Sequence, residues 1–162
     1  MSAATPAERL AAAGHRLPAP PQPRGSYAPF HLQALPGGSR QLTISGQTCR
    51  VDGAAIAGTC APGESLEPAC AAARVAMLNV LAAVADACGG SLPAVLQVRR
   101  LRGFIRSTPD FGAHTAVLDA ASDVLAAAWP QAPRPARTAV GASSLPDGAF
   151  IEIELDAELP PP

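Results

Sequence analysis

The chain has 162 residues and a formal net charge of -1, with 48% apolar and only 4% aromatic residues. It lacks the basic excess that phosphate-driven nucleic-acid binding requires. All 12 of its basic residues are arginine, which excludes lysine Schiff bases, pyridoxal-phosphate anchoring and P-loop chemistry and leaves guanidinium as the fixed cation.

Thr5-Pro6-Ala7-Glu8 has the form of a capping box with proline at the first helical position, and Gly14 can close the short helix that follows. Leu17 to Pro23 (LPAPPQP) must be extended. Residues 1–24 therefore read as an N-terminal arm lying on the domain. Phe30 to Leu35 and Gln41 to Ser45 read as strands, the second ended or bent by Gly46. Asp52-Gly53 marks a hairpin between Cys49–Val51 and Ala54–Ile56. Ser65 can cap a helix running to about Ala87, with Ala73, Met77, Leu78, Leu81 and Val84 at helical spacing. Arg74, Asn79 and Asp86 interrupt this run, so no membrane span is expected. Val95 to Ile105 reads as a long strand and Ala113 to Ala128 as a second long helix. Ala136–Ala142 and Ala149–Leu155 complete the pattern as two strands, paired as a hairpin.

The order βββ-α-β-α-ββ predicts an α+β sandwich. Its expected core is a mixed six-stranded sheet with two helices on one face. Residues 25–158 form the one domain expected, and 159–162 a frayed tail. The 36 alanines give a core of small side chains, which favours further burial by self-association. Cys49, Cys60, Cys70 and Cys88 lack zinc spacing, and Met1 to Arg9 lack the apolar run of a secretory signal. Free, structural thiols and a cytoplasmic location are expected. His15, His31 and His114 are too dispersed for a metal motif. Arg99, Arg100, Arg102 and Arg106 form the one basic cluster, read as subunit contacts or solvated charge.

The final strands hold the residues best suited to chemistry. Arg137 sits among small residues and presents a fork that fits a carboxylate. Glu152 and Glu154 alternate with Ile151, Ile153 and Leu155, so a glutamate is available for proton exchange. A plain cross-strand ion pair is the competing reading.

Ala136-Arg137-Thr138-Ala139-Val140-Gly141, Leu145-Pro146-x-Gly148-Ala149 and Ile151-Glu152-Ile153-Glu154 resemble the C-terminal signature of the RidA (YjgF) family. Leu42 to Gln47 resembles its strand ending in Ser-Gly-Gln, and Gly25 to Pro29 the segment before its first strand. The arm is similar to that of a longer bacterial subgroup. The resemblance covers about residues 25–157. It implies a chorismate-mutase-like fold forming a homotrimer with a central barrel, a cleft at each subunit interface and no metal or organic cofactor. It also implies hydrolysis of reactive enamines and imines, such as 2-aminoacrylate, to 2-keto acids and ammonia. Arg137 matches the carboxylate clamp and Glu152 the group that positions water or moves a proton. Tyr27, Ser45 and Gly46 match cleft positions. Two positions depart from the pattern: Ala139 where active members often carry cysteine, and Asp119 where an asparagine aligns. A further departure is Thr48-Cys49-Arg50, where many members have a proline. The alternative is a non-catalytic trimeric module binding a small carboxylate metabolite. An endoribonuclease-like translation inhibitor ranks behind both, and neither a membrane nor a nucleic-acid partner is expected.

Overall fold

A computed structural model describes residues 3–132 and 134–162. The strictest alternation in the chain falls in its last strand, and that strand lies at the middle of the sheet. Ile151, Ile153, Leu155, Ala157 and Leu159 are fully buried, while Glu152, Glu154, Asp156 and Glu158 point to the opposite face. This strand, β7 (Ile151–Leu159), pairs antiparallel with β2 (Arg40–Thr48) on one side and β5 (Gln97–Arg106) on the other. Outside them lie β1 (Phe30–Ala34) and β6 (Ala136–Ala142), giving the order β1-β2-β7-β5-β6.

Two long helices cover the apolar face. α2 (Glu67–Ala87) buries Ala73, Met77, Leu81 and Val84 against it. By length and composition α2 is apolar enough to cross a membrane, but here most of it is core. Its Asn79 donates to the carbonyls of Thr48 and Arg50 at 2.9 and 3.1 Å, which satisfies a buried amide. α3 (His114–Ala128) links β5 to the parallel β6 as a crossover helix. The short α1 (Pro6–Ala12) has the capping box its sequence encodes and buries Leu10. Arg9 Nε donates to the Ala128 carbonyl at 2.9 Å, fastening α1 to the end of α3.

Three expectations are corrected. The sheet has five strands, because β3 (Arg50–Val51) and β4 (Ala54–Ala55) form a separate two-stranded ribbon around the Asp52-Gly53 turn. β6 and β7 are not a hairpin, since β5 lies between them. The parallel β5–β6 pair requires the α3 crossover, and the apolar β7 fills the gap left between β2 and β5. Third, β7 continues four residues past Leu155, and its last residue Leu159 pairs with Arg40.

Packing is tight where the loops meet the sheet. A Cβ added at Gly58 would overlap the Phe150 ring, with Cε1 only 2.5 Å away. An aromatic ring cannot turn aside cheaply, so Gly58→Ala is expected to cost about 1–3 kcal/mol. Thermal unfolding should show this as a fall in Tm of roughly 2–10 °C. An unchanged Tm would mean that the loop yields more easily than this contact implies.

Candidate functional site

A bulge in β2 organises one group of candidate residues. Ile44 pairs with Leu155 and Gln47 with Ile153, so Ser45 and Gly46 together oppose the single residue between those partners, Glu154. The strand is bent at Gly46, not ended, and it continues to Thr48. Ser45 Oγ donates to the Ala28 carbonyl at 2.7 Å, and its N–H donates to the Pro29 carbonyl at 3.0 Å. These bonds dock the segment that carries Tyr27, whose side chain remains half exposed. Glycine at position 46 leaves room for the Glu152 carboxyl group, since a Cβ there would lie 2.9 Å from its Cδ and the glutamate side chain would have to swing aside.

Glu152 differs from the other carboxylates of β7. Glu154 and Asp156 bind Arg102 at 2.7 and 3.3 Å. Glu158 accepts from Ser39 and Gln97. Among the described residues Glu152 has neither an ion pair nor a hydrogen bond, although it is half-buried. Burial, then the charge of Glu154, pushes its carboxyl above the ordinary glutamate value, with Arg50 pulling weakly the other way. Tyr27, Ser45, Gly46 and Glu152 line one cleft of about 910 Å3. The arm prolines from Pro18 to Pro23 form part of its wall. Arg24 and Arg50 border it as well, and both bind Asp147, at 2.7 and 2.5 Å. Their hydrogen bonds and charges hold the Asp147 carboxyl below its usual range, with Arg50 the larger influence.

The second group sits on the other side of the sheet. Arg137 on β6 points towards α3, where its Nη1 donates to Asp119 Oδ1 at 2.6 Å and to Ser122 Oγ at 3.0 Å. Asp119 and Ser122 lie three residues apart and share one helix face. These residues line a cleft of about 730 Å3 between α3 and β6. Ala139 follows Arg137 on the same face of β6 and packs against the core.

The seven candidates therefore separate into two groups. Arg137 pairs in register with Leu101, and Leu101 in turn with Leu155. From strand spacing and rise, Arg137 and Glu152 are roughly 14 Å apart along the sheet, and their side chains leave opposite faces. The cross-strand ion pair between them is thus excluded. His31 is exposed on β1 and does not line either cleft. In the basic cluster, Arg102 is committed to Glu154 and Asp156, and Arg106 donates to the carbonyls of Gly58 and Gly148. No group of three metal-ligating side chains occurs among the described residues. All four cysteines are free thiols.

Sequence reasoning missed Ser122, Asn79 and the Arg24–Asp147–Arg50 cluster. Ser122 was detectable as the polar residue one helical turn after Asp119. Asn79 stands alone in an apolar helix stripe, which signals a buried amide in need of acceptors. Nothing in the sequence brings Arg24 to Asp147.

Residues 7–159 match the family model described as "YjgF/chorismate mutase-like, putative endoribonuclease". Protein TCP17 of Trypanosoma cruzi is 32% identical over 155 residues, covering 94% of this chain and 93% of that protein. The crystal structure of Atu1372 from Agrobacterium tumefaciens, a protein of unknown function, superposes with a TM-score of 0.81. It is 32% identical, over 96% of this chain and 94% of its own. A Shewanella oneidensis MR-1 protein with the same endoribonuclease description gives a TM-score of 0.83 at 31% identity, over 96% of this chain and 100% of its own.

Proposed function

Because the chain belongs to the YjgF/chorismate mutase-like (RidA) family, we propose that it hydrolyses reactive enamine and imine intermediates to 2-keto acids and ammonia. The observation that carries this reading is Glu152: an unpaired, half-buried carboxyl in a cleft, raised above its ordinary value while its strand neighbours are all engaged. Such a group, held in a cleft without a partner of its own, is placed to exchange protons with a bound substrate or water.

In this reading a 2-aminoacrylate-like enamine takes a proton on carbon and becomes an imine. Water adds to the imine carbon as Glu152 accepts a proton from it. Glu152 returns that proton to the nitrogen of the resulting carbinolamine, the C–N bond breaks, the nitrogen leaves as ammonia, and the hydroxyl loses its proton as the carbonyl of the keto acid forms. Arg137 holds the substrate carboxylate. The substrate is already reactive, so orientation and a proton shuttle supply what the reaction needs.

Arg137 and Glu152 leave opposite faces of the sheet, so one cleft containing both requires two copies of the chain. The unpaired outer edge of β6 and the small exposed side chains of Ala136 and Thr138 support an interface there. We take the assembly to be a homotrimer with its clefts in the seams. It needs no metal or organic cofactor and works in the cytoplasm.

The test supplies imino acids enzymatically from several amino acids and measures ammonia release with and without the purified protein. Acceleration is the expected result, and the solution mass should be three times that of the chain. No acceleration with any precursor would leave a ligand-binding trimeric module as the function. A monomeric mass would overturn the shared cleft in either reading.

A further inference from the structure

The guanidinium assigned to the substrate carboxylate already carries a carboxylate of its own. Arg137 meets both Asp119 and Ser122 through Nη1, which leaves its Nε and Nη2 without partners among the described residues. The Asp119 side chain is 58% exposed, and its Oδ2 also has no partner among those residues. One donor edge and one acceptor oxygen are therefore both available at the same cleft.

The charges around this cleft balance. Arg134 and Arg137 face Asp119 and Asp123, while Val98 and Leu125 supply apolar lining. A ligand bearing only a carboxylate would gain from Arg137 but would also meet the Asp119 charge, a like-charge contact in a partly desolvated place. A ligand with a carboxylate and an adjacent N–H cation would match both groups. Its carboxylate fits the free edge of Arg137, and its N–H can donate to Asp119 Oδ2.

We infer that Arg137 and Asp119 together form a zwitterion site, which takes 2-amino acids and protonated 2-imino acids in preference to 2-keto acids. The inference rests on the reading of Arg137 as a carboxylate clamp and adds the chemical class of the ligand. It also gives hydrolysis a direction at this site. Loss of nitrogen converts a matched ligand into a mismatched one, so the keto acid is released readily.

L-Alanine and pyruvate are a suitable pair of probes, alike in size and carboxylate and different at the nitrogen. Titration of the intact protein, followed by calorimetry or NMR, should show alanine binding roughly 2- to 5-fold more tightly than pyruvate, as one partly exposed charge contact allows. Asp119→Asn keeps the shape and a contact to Arg137 but removes the charge. It should bring the two affinities together, chiefly by improving pyruvate. Ser122→Ala, which loosens Arg137 without changing charge, should weaken both ligands by a similar factor. Equal affinities in the wild type, or a preference that survives in Asp119→Asn, would overturn the inference while leaving the carboxylate clamp intact. Failure of the wild type to bind either probe would overturn the clamp and the inference together.

Discussion

Glu152→Gln should lower kcat roughly 10²- to 10⁴-fold and leave ligand affinity largely unchanged, because it removes a proton carrier without altering the shape of the cleft. The wild-type rate should rise with pH as Glu152 ionises, with a midpoint above the ordinary glutamate value. That acid limb should disappear in the variant. Stability should move the opposite way. A carboxyl whose folded-state pKa is raised contributes stability at low pH, and the contribution is lost as pH rises through that value. Once Glu152 ionises, the wild type therefore holds an unfavourable charge that glutamine does not have. Glu152→Gln should accordingly unfold at the same temperature as the wild type or higher at pH 7, and the advantage should vanish near pH 4. A variant with near wild-type kcat would remove Glu152 from the chemistry. One that lost binding and turnover equally would make it a binding group.

The periodicity of the chain fixed most of this fold in advance and little of its connectivity. β7 announces itself through Ile151, Ile153 and Leu155, and α2 through Met77, Leu81 and Val84, because burial of one face leaves a period in the sequence. Strand neighbours leave no such trace. β6 and β7 are consecutive in sequence and read as a hairpin, yet β5 separates them. Similarly, the Asp52-Gly53 turn was legible, but not that its short strands stand apart from the main sheet. The candidate residues were legible through a family pattern, which identifies positions and says nothing of how they meet. Only the register shows that Arg137 and Glu152 occupy opposite faces. Partnership was equally invisible. Among four alternating carboxylates, the sequence cannot distinguish Glu152, which is unpaired, from Glu154, which Arg102 claims.

Arg137→Gln tests the other half of the site and should act on binding before chemistry. The substitution replaces a charged fork by a neutral amide of shorter reach, so a ligand carboxylate loses a charge-assisted contact worth about 1.5–3 kcal/mol. Affinity for L-alanine should fall roughly 10- to 150-fold. With an imino acid as substrate, kcat/KM should fall at least as far, since the clamp also orients the carbon that water attacks. The fold should tolerate the change. Arg137 lies on an edge strand with 24% of its side chain exposed, and the Asp119 carboxylate it would leave behind is 58% exposed and can be solvated. The stability cost should therefore stay within about 1 kcal/mol. That separation gives the experiment its force, because a protein with an unchanged Tm and no measurable ligand has lost a clamp and not a fold. It also discriminates between the two half-sites. Arg137→Gln should raise KM or abolish binding, whereas Glu152→Gln should bind and fail to turn over. If the two variants are copurified as mixed assemblies, a cleft built from one copy's Arg137 and another copy's Glu152 should regain partial activity. Neither variant alone can do so, and mixed assemblies that remained inactive would place both residues in the same subunit's cleft, against the geometry of the sheet.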